Sequence, residues 1–225
     1  MPNHVVNQLE IIGHSRHIED VMESLRSKED PTVCFDFNSF LPMPEELKSV
    51  TSPARIITKA ELKKELKELD NPDRPKYLGR STGITQEMSD DYEERFGSNN
   101  WYDWALSNWG TKWGSYETRL ISQEPDVEKP QYVRVKIEFQ TAWSSGAASI
   151  QFLSDMFPAF VFHLKYADED CGYNVGIYKF KDGNIVKENL PKGGSDEAME
   201  IYFQCHGGRE NWEQVDGKWT WKDDE

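Results

Sequence analysis

Apolar positions along this chain follow two periods, two and 3.6 residues, and the two alternate. His4-Val5-Val6-Asn7-Gln8-Leu9-Glu10-Ile11-Ile12 reads as a strand. Gly13 and His14 turn the chain, and Ser15 caps a helix carrying Ile18, Val21, Met22 and Leu25 on one face. Asp30-Pro31 ends that helix. Val33, Phe35 and Phe37 then alternate with Cys34 and Asp36, which predicts a half-buried strand. The same order returns later. Residues 132–140 alternate cleanly, and Ala147 to Phe157 forms a helix with Ile150, Leu153, Met156 and Phe157 inward, closed by Pro158. Phe160, Phe162 and Leu164 mark another strand. Two β-α-β units predict a ferredoxin-like α+β fold, an antiparallel sheet with two helices on one face.

Between the units lies a largely helical insertion, about residues 41–131. The prolines of Leu41-Pro42-Met43-Pro44 fix its entry. Thr58-Lys59-Ala60-Glu61 is a capping box that opens a helix with Leu62, Leu66 and Leu69 along one side. Asn71-Pro72-Asp73 stops that helix, and 72–85 reads as loop. Residues 86–96 turn Tyr92 and Phe96 inward, and their five carboxylates read as a solvated face. Residues 114–131, polar and carrying Pro125 and Pro130, read as a connection. An extension over about 172–225 adds a hairpin turning at Asp182-Gly183, then a helix capped by Ser195. Its tail either packs as a short strand or frays. The whole, 1–225, reads as a single domain.

Composition narrows the classes of function. The formal net charge of −14 opposes capture of nucleic acid or of an anionic membrane, since both need a basic face. No apolar run approaches the ~20 residues that cross a bilayer, and the start has no basic region followed by an apolar one. Cys34, Cys171 and Cys205 make no C-x-x-C pair, and the five His make no H-E-x-x-H pattern. No metal or cofactor is therefore assigned, and a reducing cytoplasmic setting fits.

The segment Trp101-Tyr102-Asp103-Trp104-Ala105-Leu106-Ser107-Asn108-Trp109-Gly110-Thr111-Lys112-Trp113 holds four of the eight Trp, with small polar groups between them. Trp101, Trp104, Ala105 and Trp109 fall at helical spacing, and Gly110 marks the stop. In the plain reading, Asn108 and Thr111 tie down the turn and Lys112 is solvated. In the functional reading, Asn108 and Lys112 are ligands in a pocket walled by Trp109 and Trp113. A lysine between indoles is equally held by cation–π attraction of about 0.5–2 kcal/mol. Asp103 caps its helix or pairs with Lys112 or Arg80. A lone carboxylate is no catalytic dyad, so no catalytic residue is assigned.

Thr141, Trp143, Ser144 and Ser145 lie where the third strand meets the second helix. Free N–H groups there favour an anion, and capping by Ser144 or Ser145 is the simpler use. Asn3 and Asn7 share one strand face. Antiparallel pairing of the first and third strands brings Asn3, Thr141 and Trp143 to one rim, with the aromatic segment over it. The candidate ligand-binding set is Asn3, Asn7, Asp103, Trp104, Asn108, Trp109, Thr111, Lys112, Trp113, Thr141 and Trp143.

Several motifs carry a resemblance. They are Met1-Pro2-Asn3 with Asn7 and Leu9, Pro42-Met43-Pro44-Glu45-Glu46-Leu47, the tryptophan segment, Phe139-Gln140-Thr141-Ala142-Trp143-Ser144, and Leu153-Ser154-Asp155-Met156-Phe157-Pro158. Together, over about residues 1–180, they resemble the YubB-like family with a ferredoxin-like domain, carried by phages and conjugative plasmids. His4 and Ser144-Ser145-Gly146 depart from its pattern, which has an aromatic residue and prolines there. The resemblance implies a ferredoxin-like fold and a mobile-element origin, and no activity.

With the acidic charge, this leads to the expectation of a non-enzymatic interaction protein that binds a host protein and counteracts host defence. In one version its carboxylates imitate DNA. The alternative is a small-ligand or nucleotide-binding protein that sequesters an anion at the tryptophan corner. An enzyme and a single-strand nucleic-acid binder rank lower. No nucleophile–base pair is visible, and the central strands lack the aromatic signature.

Overall fold

The structure is a computed structural model and describes residues 3–71 and 81–222. Its elements are β1 (His4–His14), α1 (Ile18–Leu25), α2 (Phe37–Phe40), α3 (Glu45–Lys48), α4 (Lys59–Leu69), α5 (Gln86–Phe96), α6 (Trp101–Asn108), β2 (Tyr116–Pro125), β3 (Tyr132–Ala142), α7 (Ala147–Met156), β4 (Val161–Asp168), β5 (Val175–Lys181), β6 (Asn184–Asn189), α8 (Asp196–His206), β7 (Trp212–Val215) and β8 (Lys218–Trp221). They fall into two compact units, one joining Met1–Phe40 to Gly110–Glu225 and the other spanning Leu41–Trp109.

The first unit is built on an antiparallel sheet of six strands in the order β2-β3-β1-β4-β5-β6. Its first four strands have the ferredoxin-like order, with α1 and α7 as the crossover helices. β1 buries Val5, Asn7, Leu9, Ile11 and Gly13 and leaves the alternate positions half-covered. It pairs with β3 from His4↔Ala142 to His14↔Tyr132, and with β4 from Val5↔Asp168 to Ile12↔Val161. One face of the sheet takes α7, whose Ile150 and Leu153 are fully buried. The other takes α8, where Ala198 and Ile201 pack on Ala167 and Val175, and Gln8 Nε2 reaches the Gln204 carbonyl at 3.3 Å.

Several local expectations are corrected. Gly13 and His14 do not turn the chain; the strand runs through both. Glycine suits position 13 because a Cβ there would run into the buried ring of Phe160. Ser15 opens a short 3-10 turn, and the helix proper starts at Ile18 with the expected buried face. Val33–Phe37 is not a strand. Phe35 and Phe37 are both fully buried and meet Phe139, with centroids 4.6 and 5.8 Å apart, and Phe37–Phe40 is a short helix.

The place beside β3 belongs to β2, within the stretch read as a connection. β2 is a mostly exposed edge strand whose register with β3 shifts twice. An edge strand with bulges and no core beneath it shows no hydrophobic alternation to read. In α7, Met156 is exposed, and Ser149 and Ser154 take buried positions instead.

At the C-terminal end, Asp182 and Gly183 both have positive φ, 53° and 68°, as a two-residue hairpin turn requires. Asp216 and Gly217 repeat this at 52° and 73°, so the tail forms the hairpin β7–β8. The Ser195 side chain accepts from Ala198 N and caps α8.

In the second unit the Thr58 capping box is present in full. Pro72, Asp73 and the expected loop up to residue 80 lie outside the described residues. The core gathers Leu47, Val50, Ile84, Trp104, Ala105 and Trp109, with parallel bridges Val50↔Thr82 and Ile56↔Ile84. The first and last residues of this unit are tied together, because the Trp109 indole N–H donates to the Leu41 carbonyl at 2.9 Å. No helix among the described residues is long and apolar enough to cross a membrane.

Replacing Gly13 by Ala forces the Phe160 ring out of a packed site, and such overpacking costs about 1–3 kcal/mol. A urea titration of Gly13→Ala should show a lower midpoint with an unchanged slope.

Candidate functional site

The predicted residues divide between the two units at the Trp109–Gly110 bond. In the inserted unit, Asn100 caps α6, its side-chain oxygen accepting from Tyr102 N and Asp103 N. Asp103 returns the contact by accepting from Asn100 Nδ2 at 2.7 Å, so its carboxylate serves the cap. Arg80, its other suggested partner, lies outside the described residues. Asn108 donates to the Trp104 carbonyl at 2.9 Å. Trp104 and Trp109 are buried and meet edge to face at 5.2 Å. These four residues are therefore engaged in capping and packing. Gly110, at φ 73°, stops the helix as expected.

The other unit brings the remaining seven to the end of the sheet where β1 begins and β3 and β4 finish. Asn7 is fully buried and sits at the bottom. Its Nδ2 donates to Thr141 Oγ1 at 2.8 Å and to the Val5 carbonyl at 3.0 Å, and its Oδ1 accepts from Gly146 N at 3.2 Å. The Thr141 hydroxyl in turn donates to the Ser144 carbonyl at 2.7 Å. Thr111 is equally buried, and its hydroxyl bonds both the carbonyl and the N–H of Ala142. A buried polar group left unpaired costs about 1–3 kcal/mol. These three are satisfied from within and lock the β3–α7 corner.

Above this floor sits Trp143, 41% exposed and at φ 69°. A bulky residue in the left-handed region is strained and persists only where its surroundings fix it. Here the Trp143 N–H donates to the Asn3 carbonyl and its own carbonyl accepts from Asn174 Nδ2, both at 2.9 Å. The buried Asp168 holds the two asparagines in turn, accepting from Asn3 Nδ2 at 3.0 Å and from Asn174 Nδ2 at 2.9 Å. Lys112 Nζ lies 4.4 Å from the Trp143 ring centroid and 4.9 Å from that of Trp113. Lys112 is thus held between Trp113 and Trp143, where the pocket reading named Trp109 and Trp113. Beside them His4 Nδ1 is 2.6 Å from the Tyr116 hydroxyl, which donates to the Thr141 carbonyl. Burial, aided by Glu117 and Glu169, pushes the Tyr116 phenol up to about 12.

Sequence reasoning missed Asp168, Asn174 and Tyr116. Asp168 ends β4 opposite Val5, and its carboxylate reaches Asn3 beyond the last ladder pair, a contact that local pattern does not reveal. Asn174 sits at φ 47° in a loop, and Tyr116 opens the unread strand β2, so neither carried a periodic signal.

Two outcomes follow from this geometry. Asn7→Ala leaves Thr141 and Gly146 short of partners and should cost about 1–3 kcal/mol in chemical denaturation. Trp143→Asn keeps a residue tolerant of the left-handed region while losing the indole. Its stability should stay within about 1 kcal/mol of wild type, relief of strain offsetting the lost cation–π contact.

Residues 108–214, from the last residue of α6 into β7, match the family model of the ferredoxin-like domain in Api92-like protein. Among solved structures, the chain is similar to the crystal structure of a protein api92 from Yersinia pseudotuberculosis. That likeness has 12% sequence identity and a TM-score of 0.42, and covers 86% of this chain and 99% of the other. No curated protein matches.

Proposed function

We propose that this is a non-enzymatic acidic interaction protein of a phage or plasmid, and that it binds a host protein through the edge formed by Lys112, Trp113 and Trp143. The mobile-element origin rests on the sequence motifs. The binding role rests on one observation, the exposed indole of Trp143 on a strained backbone gripped at both its N–H and its carbonyl. Rigid tryptophans flanked by polar groups are the residues that dominate protein interfaces when truncated. Strain that the fold over-determines concentrates at functional positions. The polar groups around the indole serve positioning: Asp168 holds Asn3 and Asn174, and Asn7 and Thr141 hold the corner. The net charge of −14 would steer a basic partner to this protein.

A second reading is capture of a small anionic ligand or nucleotide by the same residues. What favours it is the Lys112 ammonium placed between two indoles, one of them exposed to stack on a base.

Affinity capture from host lysate with wild type and Trp143→Asn, at matched thermal stability, tests the first reading. The expected result is a protein retained by wild type and lost from the variant. Equal retention by both, or retention by neither, overturns it. Quenching of Trp143 fluorescence by a millimolar mononucleotide, absent in the variant, would select the second reading instead.

A further inference from the structure

The sheet face that carries α8 is open over β3, β1 and β4, and a cavity of about 350 Å³ lies there. Its lining takes Gln8, Glu10, Lys136, Glu138, His163 and Lys165 from the outward positions of three central strands, with Leu9, Ile137 and Leu164 between them. Read across the sheet in register, Arg119, Glu138, Gln8 and Lys165 form one row. Lys136, Glu10, His163, Lys179 and Lys187 form the next. Ile121 from the bulged edge strand and Ile177 from β5 close the sides.

The charges in these rows do not cancel. Glu138 is ion-paired with Arg119, and Glu10 with Arg134 at 2.7 Å. Arg134 also pairs with Asp126 at 2.9 Å, so Glu10 is only partly offset, but the two rows still hold Arg119 and four lysines against Glu10 and Glu138. Lys136, Lys165, Lys179 and Lys187 form no ion pair with any described residue. Lys179 and Lys187 stand directly opposite each other on neighbouring strands, with His163 next in the row. Like charges placed directly across a ladder destabilise it. A chain with formal charge −14 thus concentrates uncompensated cations on one concave face.

We propose that this face binds a small organic phosphate carrying two or more negative charges. The phosphate groups lie by Lys136 and Lys165, which line the cavity, with Lys179 next in the row beyond His163, and the organic part lies against Ile121 and Ile177. The cavity volume falls at the lower end of the range for small-molecule sites, about 300–1,000 Å³. A small anion is the favoured occupant over a nucleic acid for a physical reason. Fields are screened beyond about 8–10 Å at physiological salt. A ligand that fits inside that distance feels the lysines, whereas a long polyanion also meets the acidic remainder of the surface. His163 agrees with this field, since burial first and the charge of Lys179 second pull its pKa below the ordinary histidine value.

The test is titration calorimetry and thermal shift on the full chain with pyrophosphate, adenosine monophosphate and adenosine diphosphate. Adenosine and a single-stranded oligonucleotide serve as controls. Saturable binding of at least one phosphate is expected, weakened by salt, with none by adenosine. Lys165→Gln should lose about tenfold or more in affinity, as for removal of a charge-assisted hydrogen bond. Lys179→Glu should also bind more weakly. Without ligand it should melt above wild type, because a carboxylate facing Lys187 replaces repulsion by attraction. Trp143→Asn should bind as wild type does, which separates this face from the proposed protein-binding edge. No binding of any phosphate at millimolar concentration overturns the proposal. So does unchanged binding in both lysine variants, a loss confined to Trp143→Asn, or binding of the oligonucleotide alone.

Discussion

β1 exchanges backbone hydrogen bonds with β3 along one side and with β4 along the other, and most of the first unit depends on that double pairing. Strand side chains alternate with a period of two, so a slip of one residue against either neighbour would turn Asn7, Leu9 and Ile11 out of the core. The register is held at both ends. Gly13 admits Phe160 at one, and Asn7 grips Thr141 and the start of α7 at the other. Burying a polar side chain such as Asn7 is tolerable because each of its hydrogen-bonding atoms finds a partner.

The same strand creates two surfaces of different character. Where it begins, β3 and β4 both end, and their carbonyls, N–H groups and asparagines converge on Trp143. Along its length the outward positions Gln8 and Glu10 lie in rows with Lys136, Lys165 and His163. One surface is a rigid indole with a cation beside it. The other is a concave polar face with excess positive charge. Neither needs a loop to be ordered by a ligand, since both are carried by paired strands and their immediate ends.

The inserted unit solves a separate problem. A stretch of 69 residues between α2 and β2, Leu41–Trp109, interrupts the first unit and must begin and end close together. The indole N–H of its last residue bonds the carbonyl of its first, and Trp104 and Trp109 are buried in its core. Large rings deliver much buried area per residue, which suits a small unit with short helices. That accounts for Trp104 and Trp109, whereas Trp113 of the same segment belongs to the other unit and lies beside Lys112.

Much of this could be read from the chain alone. The strands over 4–12 and 132–140, helix α1, the capping box at Thr58, the helix stop at Gly110 and the Asp182–Gly183 turn are all local patterns, though the first strand runs on through Gly13 and His14. Each depends on the period of a few neighbouring side chains or on the φ a single residue can adopt. Placing Asn3, Thr141 and Trp143 on one rim needed only the topology in addition. What remained hidden has a common cause. Val33–Phe37 alternates like a strand, yet its rings are drawn into the cluster around Phe139. β2 shows no pattern because an edge strand has water on its outer side. Asp168, Asn174 and the lysine rows acquire their neighbours only when distant strands pair. Local periodicity determined which segments become helices and strands. Long-range pairing in the tertiary structure decided which segment took the sheet edge and which charges came to face each other, because those contacts join residues far apart in the chain.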